Sequence, residues 1–427
     1  MRLHFLNKKG IQRIIIFITI TALPGILGYS NYNMQNPMED WGFFAHKYLN
    51  KLAVFTLPDR LIEFYKKHID FLTEHAVDPD KRRYALRGEA IRHYIDLDNW
   101  GDDAAESLPR SYEDAIIKYA QFYFIQGTDT TLLFNPDSDS EVKNELTISN
   151  SFLSQHTYFS TVFSQTSLSH WIRNYALRFY DDLDWLVPHE ACLALDSAMF
   201  KRDSKILIRD YFSSHGILPY SLPLFYQRLV QAFKEKNTEK ILKLSADIGH
   251  YIGDAHVPLH TTKNYNGQLT NQDGIHAFWE SRIPELFAEE SFDFVVGASE
   301  YIPDFKQYVW KVIKESHSMV DSVLFIEKRL SQQFPLDQQY CYENRLGSVT
   351  KLPCRNYAAA YNRLLDNQVE QRFRECILAI GSCWMSAWTE AGQPDLGINL
   401  VYIQKITEDQ LDSFKTSSSK ILIRDHE

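Results

Sequence analysis

The spacing of apolar residues is helical along most of the chain. Apolar positions recur every three or four residues across 41–73, 221–256, 303–330 and 356–391. Alternation with a period of two, which is typical of half-buried strands, is scarce. The pattern therefore predicts a mainly α-helical fold that contains many helices.

The central segment 101–210 departs from this pattern. It contains the sequence Asn-Pro-Asp-Ser-Asp-Ser at 135–140, in which turn-forming residues follow one another. It carries no cluster of potential metal ligands, so we interpret it as an insertion into the helical domain. The heptapeptide Ser-Lys-Ile-Leu-Ile-Arg-Asp occurs at 204–210 and again at 419–425, but it is too short to indicate an architectural repeat.

The N-terminus has the pattern of a signal peptide. Basic residues within 2–13 precede an uncharged apolar stretch, 14–27, which is too short for a membrane-spanning helix. We therefore expect residues 1–30 to direct export to the periplasm or the extracellular space, with an uncleaved membrane anchor as the alternative. Residues 31–400 are expected to form a single helical domain, and residues 401–427 a polar tail.

Charge and cysteine usage narrow the classes of partner and compartment. The chain has 45 basic and 55 acidic residues and no basic run, which argues against a long polyanion as the preferred partner. None of the five cysteines lies in a Cys-x-x-Cys pair, so a thiolate zinc site is not expected. Cys341 and Cys354 bracket a loop and could form a disulfide in an oxidising compartment, whereas Cys376 and Cys383 are expected to be buried. No protein partner is predicted.

The most informative segment places imidazoles and carboxylates at helical spacing. His250 and Asp254 lie four residues apart, as do His276 and Glu280, so each pair shares one face of a helix. His260 follows a proline that must end the first of these helices. Neutral imidazole nitrogen and carboxylate oxygen are the ligands that zinc takes where no thiolate is offered. The spacing therefore predicts a metal site between two helices, with more than one metal.

A solvated ion pair is the usual role of a lone His-x-x-x-Asp on a helix. Here the helix also carries Ile241, Leu244, Ile248 and Ile252 at helical spacing, which predicts that it packs in a core. A buried carboxylate beside buried imidazoles is costly unless a cation neutralises it, so the metal site is favoured. Thr238 is the expected N-cap of this helix, and the polar stretch 264–274 is the expected loop between the two ligand helices.

Further candidate ligands lie upstream, each with an ordinary structural alternative. His93 is surrounded by apolar and aromatic residues and could be a core histidine with satisfied hydrogen bonds. The segment 74–80 offers several carboxylates, among which Asp78 precedes a proline and could be a turn residue. Trp41 and His46 form a Trp-x-x-x-x-His motif. Taken alone, none of these residues establishes a site.

Together the motifs resemble, in order and spacing, the zinc-dependent phospholipase C superfamily, which includes the single-strand zinc nucleases of fungi and plants. The pattern His-Tyr-x-Gly-Asp-x-x-x-Pro-x-His-x-x-x-Asn is met over 250–264, and Gly-x-His-x-x-x-Glu over 274–280. The opening Trp-x-x-x-x-His of the nuclease branch is met over 41–46. An Asp about fifteen residues before a His is met by Asp78 and His93.

The resemblance implies a multi-helix fold with a central insertion, a helical C-terminal extension and two or three zinc ions. One zinc would be held by Asp78, His93, His250 and Asp254. A second would be held by His260, His276 and Glu280, and a third by Trp41, His46 and the other oxygen of Asp254. In the family the tryptophan is the mature N-terminus and its amine binds the third zinc. Here the expected signal cleavage leaves about ten residues before it.

Such a zinc cluster implies hydrolysis of phosphodiesters by a metal-activated water. Asp78 is the expected acceptor of the water's proton. Asn264 and Asn266 could reach a phosphate from the loop, or could instead cap the loop itself. Asp247 is either a contact that supports the ligands or a solvent-facing charge, and His256 is expected to be a polar contact rather than a ligand.

Three functions stay open at this point. A phospholipase C that acts on phospholipid head groups is favoured by Glu280, where the nuclease branch tends to have Asp, by the short 260–276 loop and by the acidic chain. A single-strand nuclease or nucleotidase is favoured by the 41–46 motif and by abundant aromatic residues that could stack bases. The third is a non-catalytic metal-binding homologue, which would follow if Trp41 has no free amine.

Overall fold

The computed structural model describes residues 43–397 with internal gaps. The gaps are 87, 137–145, 149–169, 172, 175–183, 196–203 and 346. The signal peptide, Trp41, the polar tail and the second copy of the heptapeptide lie outside the described residues, so what we expect of them stays a prediction. Within the described ranges, every helix is too short or too polar to cross a bilayer.

Most of the described residues are helical, which confirms the prediction of a mainly α-helical protein. The first helices in chain order are α1 Phe43–Ala53, α2 Asp59–Lys67, α3 Ile69–Glu74, α4 Asp78–Arg83, α5 Ala104–Ser107, α6 Tyr112–Tyr119 and α7 His189–Leu195. They are followed by α8 Leu218–Lys234, α9 Thr238–His256, α10 Ile275–Ala277, α11 Ile283–Ser291, α12 Phe305–Ser318, α13 Val320–Gln333, α14 Arg355–Leu364 and α15 Gln368–Glu390.

Each of the four stretches with helical spacing is helical but is divided into two or more helices. Lys236 lies between α8 and α9 with a φ of 51°, and Asn367 lies between α14 and α15 with a φ of 61°. A residue in this left-handed region cannot continue a right-handed helix. In these two stretches the break therefore follows from one or two backbone positions that the apolar spacing does not reveal.

The helix α9 lies at the centre of the fold, packed against α1, α8, α12 and α15. Every residue from Ile248 to His256 is buried, so this half of the helix is enclosed on all sides. The helix ends at His256, as the following proline predicts. Its N-cap is Asn237, whose side chain accepts a hydrogen bond from the backbone N of Lys240; the prediction of Thr238 was therefore wrong by one residue.

The central segment contains a five-stranded antiparallel sheet, which the scarcity of alternation did not predict. Its strands are β1 Gln121–Gln126, β2 Asp129–Pro136, β3 Leu146–Ile148, β4 Asp184–Leu186 and β5 Ser204–Arg209, in the order β3-β2-β1-β5-β4. The first copy of the heptapeptide supplies β5, which pairs with β1 along its whole length. Phe122, Ile206 and Ile208 from these two strands join the hydrophobic core of the helices.

A second, two-stranded sheet lies near the C-terminal helices. Its strands are β6 Tyr340–Arg345 and β7 Ser348–Pro353, which pair antiparallel. Cys341 and Cys354 form a disulfide that closes the open end of this hairpin, as their positions predicted. Cys376 and Cys383 are buried free thiols in α15, which also confirms the expectation.

Candidate metal centre

Six segments of the fold bring ligand-type side chains to one buried region. His46 comes from α1, Asp80 from α4, His93 from the residue after the 3-10 turn Ala90–Arg92, His250 and Asp254 from α9, His260 from the 3-10 turn Pro258–Thr261, and His276 and Glu280 from the helical run that begins with α10. Ligand atoms within 4.8 Å of one another form the groups His46–Asp80–His250, His93–His250–Asp254, His260–His276–Glu280 and His46–Asp254–Glu280. These clusters can hold a metal ion, as the spacing predicts.

The carboxylate of Asp254 lies between two groups of imidazoles. Its Oδ2 is 2.9 Å from Nδ1 of His93 and 3.4 Å from Nε2 of His250. Its Oδ1 is 3.4 Å from Nε2 of His46 and 3.8 Å from Nε2 of His260. The two oxygens therefore face different nitrogen ligands, and the side chain is almost completely buried.

Glu280 lies on a widened turn of the second ligand helix. Between α10 and α11 the chain passes through a π-helical turn, Phe278–Arg282, a feature that is frequent at functional sites. Oε2 of Glu280 is 2.7 Å from Nε2 of His276 and 3.4 Å from Nε2 of His260. Oε1 is 3.3 Å from Nε2 of His46, so this carboxylate also connects two ligand groups.

Backbone carbonyls fix the orientation of three of the imidazoles. The Nδ1 to oxygen distances are 2.9 Å from His250 to Ala76, 2.6 Å from His260 to His93, and 3.0 Å from His276 to Tyr265. A carbonyl oxygen only accepts, so Nδ1 carries the hydrogen and Nε2 turns a lone pair towards the cluster. In the opposite direction, the backbone N of Ile95 donates to the carbonyl of His260 at 2.9 Å.

This donor set fits a metal cation. Imidazole lone pairs and carboxylate oxygens face one another at contact distance in a buried space, where they repel unless a proton or a cation lies between them. The atoms that converge are nitrogen and oxygen, and no cysteine belongs to any ligand group among the described residues. The arrangement therefore suits a divalent ion with mixed imidazole and carboxylate ligands.

Burial is the largest single influence on the pKa of His93, His250, Asp254 and Glu280. Burial, followed by neighbouring cationic groups, lowers the pKa of His93 and of His250 well below the ordinary value. Burial, followed by two neighbouring carboxylates, raises the pKa of Asp254 well above its ordinary value. For Glu280 burial acts upward, but the contacts with His260, His276 and His46 outweigh it and hold its pKa well below the ordinary value. Neutral imidazole is the form that ligates a metal.

The structure places Asp80, and not Asp78, at the cluster. Oδ1 of Asp80 is 3.7 Å from Nε2 of His250 and 3.8 Å from Nδ1 of His93. Asp78 begins α4, and its Oδ2 lies 2.5 Å from Nδ1 of His75, outside every ligand group among the described residues. Two positions apart on a helix, the side chains point in different directions. We therefore replace Asp78 by Asp80 as ligand and as candidate proton acceptor.

Arg83 is a site residue that the motifs do not identify. Its Nη1 lies 3.6 Å from Oδ1 of Asp80, and the residue is 6% exposed. After burial, its charge is the largest influence that lowers the pKa of His93. The spacing Asp80-x-x-Arg83 on a helix is a signal that could have found it, because residues three apart are neighbours on the helix surface.

Gly253, the glycine of the sequence motif, allows His46 to approach α9. A Cβ at this position would lie 2.8 Å from Nδ1 and 3.0 Å from Cε1 of His46. The ring of His46 stacks on that of His250, with 3.9 Å between the ring centroids. One turn earlier, a Cβ on Gly249 would lie 1.9 Å from Oδ1 of Asn50. Both glycines therefore make room for side chains of α1.

Behind the ligands, an ion-pair network joins α9 to α4. Oδ2 of Asp247 lies 3.0 Å from Nη2 of Arg82, which also lies 3.3 Å from Oε1 of Glu89. Glu89 accepts a hydrogen bond from the hydroxyl of Tyr251 in the next turn of α9. Asp247 therefore contacts an arginine rather than a ligand, and through it holds the helix that carries Asp80.

In the structure, the side chains of Asn264 and Asn266 form hydrogen bonds within their own loop. Oδ1 of Asn264 accepts from the backbone N of Leu269 at 2.8 Å, and Oδ1 of Asn266 accepts from the backbone N of Gly274 at 3.0 Å. These contacts correspond to the loop-capping alternative, and a phosphate-binding role stays a prediction. They fix the loop whose carbonyl orients His276, so both residues support a ligand indirectly.

His256 lies near the cluster but points elsewhere. Its Nδ1 donates to the carbonyl of Ile252 at 2.7 Å, within its own helix. Its carbonyl accepts from Nε of the buried Arg372 at 3.0 Å. It belongs to no ligand group in the part of the chain that the structure describes, in line with the expected polar contact.

No protein-family model, curated protein or solved structure matches the chain. Trp41 lies outside the described residues, so its place relative to His46 stays a prediction.

Proposed function

We propose that the protein is a zinc-dependent phosphodiester hydrolase of the phospholipase C type. The observation that carries the proposal is the buried carboxylate of Asp254, whose two oxygens face different imidazole groups. A carboxylate in this position is suited to bridge two metal ions. Pairs of closely spaced metals are a recurring arrangement in enzymes that cleave phosphate esters. The order and spacing of the sequence motifs support the same family.

The ligands divide into two complete sets and one partial set. The first set would be Asp80, His93, His250 and Asp254. The second would be His260, His276 and Glu280. A third ion would use His46, the other oxygen of Asp254 and, if a second cleavage exposes its amine, Trp41. Imidazole nitrogen and carboxylate oxygen without thiolate are a common donor set for zinc in hydrolases.

Zinc bound here would lower the pKa of a coordinated water and polarise the phosphoryl oxygens of the ester. Asp80 has the most exposed side chain of the ligand set, at 15% against 2% for Asp254, so it is the carboxylate best placed to accept the proton of an attacking water. Arg83 lies beside it and can donate hydrogen bonds to phosphoryl oxygens, where negative charge accumulates. The other ligands, which are buried, hold the site rigid.

Export forms part of the proposal. The disulfide between Cys341 and Cys354 suits an oxidising compartment, and the apolar leader has the pattern of a signal peptide. A mature chain that begins at Trp41 would supply an amine to the third ion. A chain that begins near residue 31 would leave that ion without the amine, so it should bind more weakly.

Metal content and hydrolysis, measured on the same purified protein, test the function. We expect two or three zinc ions per chain, and cleavage of bis(p-nitrophenyl) phosphate that a chelator abolishes and added zinc restores. Release of a phosphorylated head group from phosphatidylcholine, with little cleavage of single-stranded DNA, would support the phospholipase branch. The reverse preference would assign the nuclease alternative. Tightly bound zinc without any hydrolysis would refute the enzyme and leave a metal-binding protein.

A further inference from the structure

The hairpin β6–β7 is fastened to the helix that carries a metal ligand. On its inner face, Nη2 of Arg345 lies 3.0 Å from Oε1 of Glu285 in α11. Arg282, two residues after Glu280, pairs with Glu343 of the hairpin and donates from Nε to the carbonyl of the last residue of β7 at 3.0 Å. The hairpin therefore has a fixed position relative to the candidate metal centre.

The opposite face of the hairpin is turned away from these ion pairs. Strand alternation and the observed register place on this outer face the six residues Tyr340, Tyr342, Asn344, Val349, Lys351 and Pro353. Tyr342 is 73% exposed and Val349 is 71% exposed. Nζ of Lys351 lies 4.3 Å from the centre of the Tyr340 ring. None of the six residues is a carboxylate, although the whole chain has a net charge of −10.

The composition of this outer face matches the boundary between lipid and water. Tyrosine combines an apolar ring with a polar hydroxyl, and lysine extends an aliphatic stem that ends in a charge; both are favoured at the level of lipid head groups. An acid-free face with a lysine also allows an acidic chain to approach anionic lipid. The disulfide between Cys341 and Cys354 holds the face in one shape, which reduces the entropy lost on docking.

We propose that the outer face of β6–β7 docks on the surface of a phospholipid bilayer. The ion pairs with α11 then hold the metal centre at a fixed distance from that surface. The inference rests on the proposed phospholipase C function, and it adds the physical form of the substrate. The preferred substrate is a phospholipid within a bilayer rather than a soluble phosphodiester.

The test uses the full chain and sedimentation with vesicles of phosphatidylcholine, alone and mixed with phosphatidylglycerol. We expect the double variant Tyr342→Ser/Val349→Ser to bind vesicles about tenfold more weakly, because two exposed apolar groups no longer enter the interface. Lys351→Ala should remove only the additional binding that phosphatidylglycerol provides. Asn344→Ser, on the same face, is the matched control and should bind as the wild type does.

Hydrolysis of bis(p-nitrophenyl) phosphate separates the docking proposal from the function. In the double variant this soluble activity should stay at the wild-type level, while hydrolysis of vesicle lipid falls in step with binding. Unchanged vesicle binding with intact soluble activity would overturn the docking proposal alone. If the wild type does not hydrolyse bis(p-nitrophenyl) phosphate, the proposed function is overturned, whether or not the protein binds vesicles. A change from dimer to monomer in the double variant, without a change in vesicle binding, would assign the face to a second copy and overturn the proposal.

Discussion

Replacing Gly253 by alanine adds one methyl group to the central helix, with two opposed effects. In a helix interior, alanine is favoured over glycine by about 1 kcal/mol. The new Cβ, however, would lie 2.8 Å from Nδ1 of His46, whereas ordinary contacts begin near 3.4 Å, so the ring must move by at least about 0.6 Å. The ring of His46 is not free to move, because it stacks on the ring of His250 and its Nε2 lies 3.3 Å from Oε1 of Glu280.

The magnitudes predict a variant that folds but binds metal poorly. Overpacking of this kind costs about 1–3 kcal/mol, which the gain in helix propensity partly offsets, so the net loss of unfolding free energy in chelator is about 0–2 kcal/mol. Metal–ligand distances are held to about 0.2 Å, so a shift of 0.6 Å or more should remove His46 as a ligand. Metal analysis should therefore find less zinc, while the thermal midpoint in chelator changes little.

A double-mutant cycle with His46→Ala makes the Gly253→Ala prediction specific. His46→Ala should lose the same metal, and in its background the Gly253→Ala change should be neutral or stabilising, because the methyl group meets no ring. If Gly253→Ala alone retains the wild-type zinc content and hydrolysis, the reasoning about His46 is refuted. If the two changes destabilise additively, the contact between them is not the cause.

Three further outcomes are expected. Asp80→Asn should lower the rate of hydrolysis by about 10²–10⁴-fold. The matched change Asp78→Asn should alter the unfolding free energy by about 1 kcal/mol or less and leave the rate of hydrolysis intact. Equal effects of the two changes on the rate would contradict the assignment of Asp80. Asp254→Asn should reduce the content of two metals and His276→Ala mainly that of one, as metal analysis of both variants would show; full metal content in both would remove the bridging role. Chelation should lower the unfolding free energy by about 4 kcal/mol for each ion removed, relative to protein in free zinc a thousandfold above Kd; an unchanged thermal midpoint would show that no metal stabilises the fold.

Helical spacing predicts part of the site without any family resemblance, whereas His46 and His93 were expected as ligands only through the resemblance. His250 with Asp254, and His276 with Glu280, are four residues apart, and any helix places such pairs on one face. The proline after α9 predicts the helix end that brings His260 back towards the cluster. These inferences need no knowledge of how the helices pack, which is why they could be made from the sequence.

The choice between Asp78 and Asp80 could not be made in the same way. Both are carboxylates in the first turn of α4, and the choice depends on where that helix begins and on its rotation against α9. The ion pair between Asp247 and Arg82, together with the hydrogen bond of Asp78 to His75, sets this rotation. Each is a tertiary or local side-chain contact that apolar spacing does not encode.

The strands escaped prediction for two different reasons. In β1, Phe122 and Phe124 are buried, but the half-buried positions that alternate with them, Tyr123 and Ile125, carry large apolar or aromatic side chains too, so the alternation of burial is hidden in the sequence. The hairpin β6–β7 is mostly exposed and neither of its faces is continuously buried, so apolar and polar residues do not alternate along its sequence. In β5 the burial alternates, with Lys205 and Arg209 exposed between buried positions, but the half-buried Leu207 is apolar and interrupts the alternation in the sequence.

The hydrogen bond from His260 to the carbonyl of His93 links the two proposed ligand sets, so their loading with metal should be interdependent. His93 belongs to the first set and His260 to the second, and Ile95 returns a bond to His260 from the same segment. An ion that fixes His93 therefore presents the next ion with an imidazole that is already oriented. By thermodynamic linkage, binding of the second ion raises the affinity for the first ion by the same factor. Zinc uptake should thus be steeper than for independent sites, and half-loaded chains should be scarce at equilibrium.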